Sequence, residues 1–245
     1  MGSRSFPEWA RDNEIAAIAV AVIVIVAGVI TRPIYPFFFA KVGNYISARQ
    51  IVRSSGLESF WPHTPDCKGK GWDGCVEELK TSKPENIRIL AFTGGSTFSN
   101  RNSPLYDVLN HHQGNIEILL AQPGTPVFTQ RLSQLKERLG ISMDTLKRKC
   151  QDELEQSVQY CRELKETAPE VKRIEVRAYN TEPIWKMVIL SNYLWLQYYR
   201  PGQVNDDMPA YGIRKSADSS LACPLQRVFE NLWALNSKNI LLKID

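Results

Sequence analysis

Residues 87–100, IRILAFTGGSTFSN, decide how the chain is organised. IRILAF (87–92), apolar apart from Arg88, has the length and composition of a strand buried in a sheet. It delivers Gly94, Gly95, Ser96 and Thr97 to the sheet's edge. SPLYDVLNHH (103–112) follows and predicts a short helix, with Ser103 as N-cap and Pro104 in its first turn. IEILLAQ (116–122) is a second buried strand, closed by Pro123-Gly124. Two strands joined through a helix predict a right-handed βαβ unit with parallel strands.

The same logic extends in both directions. Upstream, 41–55 predicts a short connecting helix, 62–74 a polar glycine-rich loop, and 75–82 a brief helix ended by Lys83-Pro84. Downstream, Thr129 to Ala168 is helical, with Leu132, Leu135, Leu139, Leu146, Cys150, Leu154, Val158, Cys161 and Leu164 recurring mostly at three- or four-residue steps. Gly140 interrupts that run and Ser142 caps its second part. RIEVRAY (173–179), KMVILS (186–191) and YLWLQYY (193–199) predict strands, the last two joined by a tight turn at Ser191-Asn192. PLQRVFENLWALN (224–236) is an amphipathic closing helix. The fold class expected is α/β, a mixed sheet flanked by helices.

Composition narrows the function classes. A formal net charge of +4, from 30 basic and 26 acidic residues without a dominant basic run, gives no direct nucleic-acid signal. Five cysteines at wide spacing do not make a disulfide framework. Cys67 and Cys75 lack the two further ligands that a zinc site needs, so no metal or cofactor is expected.

Ile15 to Ile30, IAAIAVAVIVIVAGVI, is apolar on every helical face and predicts a transmembrane helix over 15–31. At ~1.5 Å per residue this run reaches roughly 24 Å, slightly less than a ~30 Å hydrocarbon core. A buried core helix or a cleaved signal peptide fits less well, because the run lacks a polar face and a small-residue cleavage site. Arg32, Lys41, Arg49 and Arg53 place the basic excess after the span, so the C-terminal part is expected on the cytoplasmic side of a single-pass protein. The expected organisation is a tail (1–14), the span (15–31), a connector (32–55), one α/β domain (56–236) and a C-terminal tail (237–245).

The order FTGGSTF, PLYDVLNHHQGNIEILLAQPGTP, a long helical stretch, IEVRAYNTEPIWKMVILSNYLWLQYYRPG and RVFENLWALN resembles the phospholipase D-like fold over roughly residues 56–236. It is similar to degenerate bacterial members attached to membrane segments. Active members carry His-x-Lys-x4-Asp, in which the histidine is the nucleophile and the lysine holds phosphate oxygens. Here that motif falls on Ile184, Lys186 and Ser191: the lysine is kept and the other two groups are lost. Isoleucine cannot take up a phosphoryl group, so this covalent route is absent.

The resemblance therefore implies a catalytically inactive module at the bacterial inner membrane, associated with sensing or antiphage defence. It would bind a nucleotide-like ligand or a protein partner and act as a homo-oligomer. Gly94, Gly95, Ser96 and Thr97, with Lys186 as the cation, form the candidate anion pocket. The competing reading of GGST is a sharp turn, since it matches neither GxxxxGK[ST] nor GxGxxG. Two other classes remain open from sequence: a membrane-tethered phosphodiesterase or nuclease with a non-standard site, and a structural membrane adaptor. His111 and His112, at the end of a predicted helix, read as helix-terminal rather than catalytic.

Overall fold

Strands β2 (Asn86–Ala91) and β3 (Asn115–Ala121) run parallel, in register from Asn86↔Asn115 to Ala91↔Leu120, as the βαβ reading requires. The computed structural model describes residues 56–61, 70–182, 185–199, 209–215 and 221–245. The apolar run Ile15–Ile30 and the connector at 32–55 lie outside the described residues. Among the described residues no helix is long and apolar enough to cross a membrane.

The remaining strands are β1 (Leu57–Trp61), β4 (Arg173–Tyr179), β5 (Trp185–Ile189), β6 (Tyr193–Tyr198), β7 (Ala210–Arg214) and β8 (Ile240–Ile244). Together they make one eight-stranded mixed sheet in the order β1-β7-β6-β5-β2-β3-β4-β8. β2, β3 and β4 are mutually parallel, and every other neighbouring pair is antiparallel. Because β5 runs against β2 and β6 against β5, the chain direction of β6 matches that of β2. The carboxyl ends of β2, β3, β4 and β6 and the start of β5 thus share one edge.

Alternation along the strands feeds two cores. Ile87, Ile89, Ile116, Ile118, Val188 and Trp195 face one layer; Leu90, Phe92, Leu119, Met187, Leu194 and Leu196 face the other. The first layer is covered by α1 (Lys70–Ser82) and α2 (Tyr106–Leu109), the second by α3 (Pro126–Leu139) and α5 (Ala222–Leu235). Helix α4 (Met143–Thr167) serves both: Leu146 and Cys150 join the second core, whereas Leu154, Tyr160, Cys161 and Leu164 join the first. Passing from one face to the other, α4 crosses the sheet's edge between Cys150 and Leu154.

Several differences from the sequence reading have physical reasons. The helix expected over 103–112 is a four-residue turn of α-helix, because Gly95–Ser99 winds as a π-helical turn before it and Thr97 O accepts from Leu105 N. Ser103 caps nothing through its side chain, since its buried hydroxyl has no partner. Lys70–Gly74, read as the end of a loop, opens α1, for Trp72 stacks on Trp195 with ring centroids 3.8 Å apart. That tertiary burial outweighs the local preference of two glycines. Residues 240–244, read as part of a tail, pair with β4 as an edge strand.

The caps of the long helices follow their residue chemistry. Thr125 Oγ1 accepts from Phe128 N ahead of Pro126, so α3 starts three residues earlier than the periodicity suggests. Gly140 ends α3 at φ 64°, and Ser142 Oγ accepts from Thr145 N to start α4.

Candidate functional site

The turn after β2 meets the start of β5 because β2 and β5 pair antiparallel, Leu90 opposite Met187. Lys186, one residue further toward the edge, is only 4% exposed. Its Nζ donates to Ser96 Oγ at 3.2 Å. The same ammonium lies 5.7 Å from the ring centroid of Trp72 and 5.6 Å from that of Trp195. Equal distances to two rings stacked on each other place the ammonium beside the indole stack. Gln197, fully buried, stands opposite Lys186 on β6.

Gly94 takes φ 92°, the left-handed region open to glycine. A β-carbon there would stand 2.6 Å from Ser157 Oγ and 2.8 Å from the Phe98 ring, so the backbone also passes unusually close to α4. The carbonyl of Gly94 accepts from Thr97 N at 2.9 Å and Phe98 N at 3.0 Å. Those two amides are spent within the turn. Thr97 itself is 1% exposed. Of the five residues expected from sequence, the structure joins Ser96 and Lys186 directly; Gly94, Gly95 and Thr97 shape the turn that carries Ser96.

Three residues that the sequence reading missed hold this turn. Thr93 Oγ1 donates to Glu153 Oε2 at 2.8 Å. Ser157 Oγ donates to Thr93 O at 2.7 Å and pairs with Ser99 Oγ at 2.8 Å. The Glu153 carboxylate stands against Gly95, 3.4 Å from where a β-carbon would lie. These polar residues belong to the stretch of α4 that crosses the edge. A polar residue on a long amphipathic helix carries no sequence mark of the turn it reaches, so only tertiary packing identifies them.

The site is therefore bipolar: an ammonium with a hydroxyl on one side of the turn, a carboxylate with a hydroxyl on the other. Such a place offers donors to an anionic group and an acceptor to an amino or hydroxyl group. Ile184 lies outside the described residues.

Among the described residues, clefts lie beside this edge at Ser99 and at the opposite ends of the strands. One of about 710 Å³ runs along α4 past Arg101, Tyr106 and Arg162. The other, about 950 Å³, lies where β3 begins and includes Lys80, Lys83, Asp107, His111, His112 and Glu170. There His112 is buried, its Nε2 3.3 Å from Asn115 O, and burial pushes its imidazole below the usual histidine range. A group of three or more histidine, cysteine or carboxylate side chains able to hold a metal is absent among the described residues.

No family model matches the chain, and comparison with curated proteins gives no match. Among solved structures, the chain is similar to TrmBL2, an archaeal chromatin protein whose structure shows a novel mode of DNA binding. The TM-score is 0.38 at 13% identity, and the likeness covers 84% of this chain. It spans 65% of that chain's length, and at this distance it carries no argument about function.

Proposed function

We propose that the chain is a membrane-anchored, catalytically inactive phospholipase D-like sensor or effector that binds a nucleotide-like ligand at the edge formed by Lys186 and the Gly94–Thr97 turn. The observation supporting this reading is the Lys186–Ser96 contact, which sets a buried cation beside the glycine turn at the carboxyl ends of parallel strands. Open α/β sheets bind ligands in that position. Lys186 and Ser96 would take phosphoryl oxygens, and Glu153 would accept from a ribose hydroxyl or a base amino group.

In this reading the segment Ile15–Ile30 anchors the chain in a bacterial inner membrane with the α/β domain on the cytoplasmic side. Ligand binding drives homo-oligomerisation, which gathers the anchors and acts on the bilayer, in keeping with a role in antiphage defence. A protein partner is the other ligand class that such an edge could serve. The test is equilibrium binding of mono-, di- and cyclic nucleotides to the full chain in detergent, with sedimentation in the presence and absence of each. Saturable binding that raises the oligomeric state supports the reading. Absence of binding across the panel overturns it.

A further inference from the structure

Helix α4 has an outer side that the ligand edge does not use. Its inner side buries Leu146, Cys150, Leu154, Ser157, Cys161 and Leu164. The opposite line runs through Arg148, Asp152, Glu155, Gln159, Arg162 and Glu166, all of them exposed. The order along this ridge is self-complementary. Turned end for end about the level of Ser157 and laid against itself, the ridge sets Arg148 opposite Glu166, Asp152 opposite Arg162 and Glu155 opposite Gln159. Along it no like charges meet, and two-fold symmetry makes each pairing occur twice.

The helix itself makes little use of this pattern. Arg148 and Asp152 are four residues apart, as are Arg162 and Glu166, but in both the base precedes the acid, the weaker order within a helix. Neither pair is closed among the described residues, and Arg162 Nη1 donates instead to Gln159 Oε1 at 3.3 Å. Glu166 stands in the last turn of α4, where the helix's own dipole disfavours an anion. An antiparallel neighbour brings the opposite end of a second dipole beside it. A cleft of about 710 Å³ borders the ridge at Glu155, Gln159 and Arg162 and reaches Leu241 on β8, which is 36% exposed. A partner helix seated there also covers apolar surface, which charge pairing alone would not provide.

We infer that the outer ridge of α4 is a self-association surface, on which a second copy of this chain lays its own α4 antiparallel about a two-fold axis. The inference rests on the homo-oligomerisation in the reading above and names the surface through which it occurs. Exposed ion pairs are individually weak and are screened by salt. The surface therefore suits a contact made when copies are concentrated or liganded, rather than a permanent dimer. The same stretch of α4 supplies Glu153 and Ser157 to the Gly94 turn, so a ligand at that edge bears on the middle of the ridge.

The test is sedimentation equilibrium of the full chain in detergent, at low and high salt, with and without the mono-, di- and cyclic nucleotides. Wild type should self-associate, and less so at high salt. Arg148→Glu and Glu166→Arg should each weaken association about tenfold while melting like wild type, since both positions are exposed. The two changes in one chain should restore association, and so should mixing the two single variants, because the antiparallel arrangement sets each position against the other. A chain that stays monomeric in every condition overturns the inference, as does weakening by both single changes without rescue. Nucleotide-driven oligomers that neither change weakens remove this surface and leave the proposed function standing. Charge rescue between the two positions, with no nucleotide bound, does the reverse.

Discussion

Lys186 and Ser96 are 90 positions apart in sequence, yet the lysine ammonium donates to the serine hydroxyl at 3.2 Å. The contact follows from topology: β5 lies antiparallel beside β2, so its first residues meet the turn that β2 delivers. It is held from behind by an aromatic pair, for Trp195 lies on β6 next to β5 and Trp72 stacks upon it from α1.

That pair should be a major source of local stability. Trp72→Ala removes a 7%-exposed indole whose ring centroid lies 5.7 Å from the Lys186 ammonium. Truncating a buried tryptophan costs about 3–5 kcal/mol. Denaturant unfolding should show a loss of that size, with the Lys186 site weakened as well. A loss under ~1 kcal/mol would mean that the stack contributes little beyond surface packing.

Two glycines separate backbone strain from crowding. Gly94 and Gly124 both have positive φ, 92° and 78°. A β-carbon at Gly124 meets nothing within 4 Å, whereas at Gly94 it strikes Ser157 and Phe98. Gly124→Ala should cost only the left-handed penalty, about 1–2 kcal/mol. Gly94→Ala should cost clearly more and distort the turn. Equal costs for the two would refute the close approach of α4.

His112 gives a pH dependence with a definite sign. Its folded pKa is lowered by burial, so the fold prefers the neutral ring while the unfolded chain takes up a proton near its usual pKa. Its contribution is full above about pH 6.5 and is lost progressively as pH falls below that value toward the folded pKa. His112→Gln should flatten the melting-temperature profile in that window. A wild-type profile that rises on acidification there would contradict the assignment.

Sequence pattern and structure agree where one residue choice settles the matter. IRILAF and IEILLA are buried apart from Arg88 and Glu117, which pair with each other, and their parallel pairing follows from the intervening connection, while Gly140 and Ser142 mark a helix break through their own caps. The hairpin at Ser191-Asn192 is present between β5 and β6. By contrast, β1 and β7 are five-residue strands whose apolar pattern is weak, and they exist because a neighbouring strand accepts their backbone. At the site, GGST and Lys186 stood out by composition and by resemblance. Glu153, Ser157 and Thr93 did not, since their role depends on where α4 crosses the edge.

The most direct measurement is the nucleotide-dependent melting temperature of Lys186→Met beside the wild-type full chain. At ~100 times its dissociation constant, a ligand adds about 2.7 kcal/mol to wild-type stability, and the variant should show no such gain. An equal gain in both proteins, or none in the wild type with any nucleotide, would contradict ligand binding at the Lys186 edge.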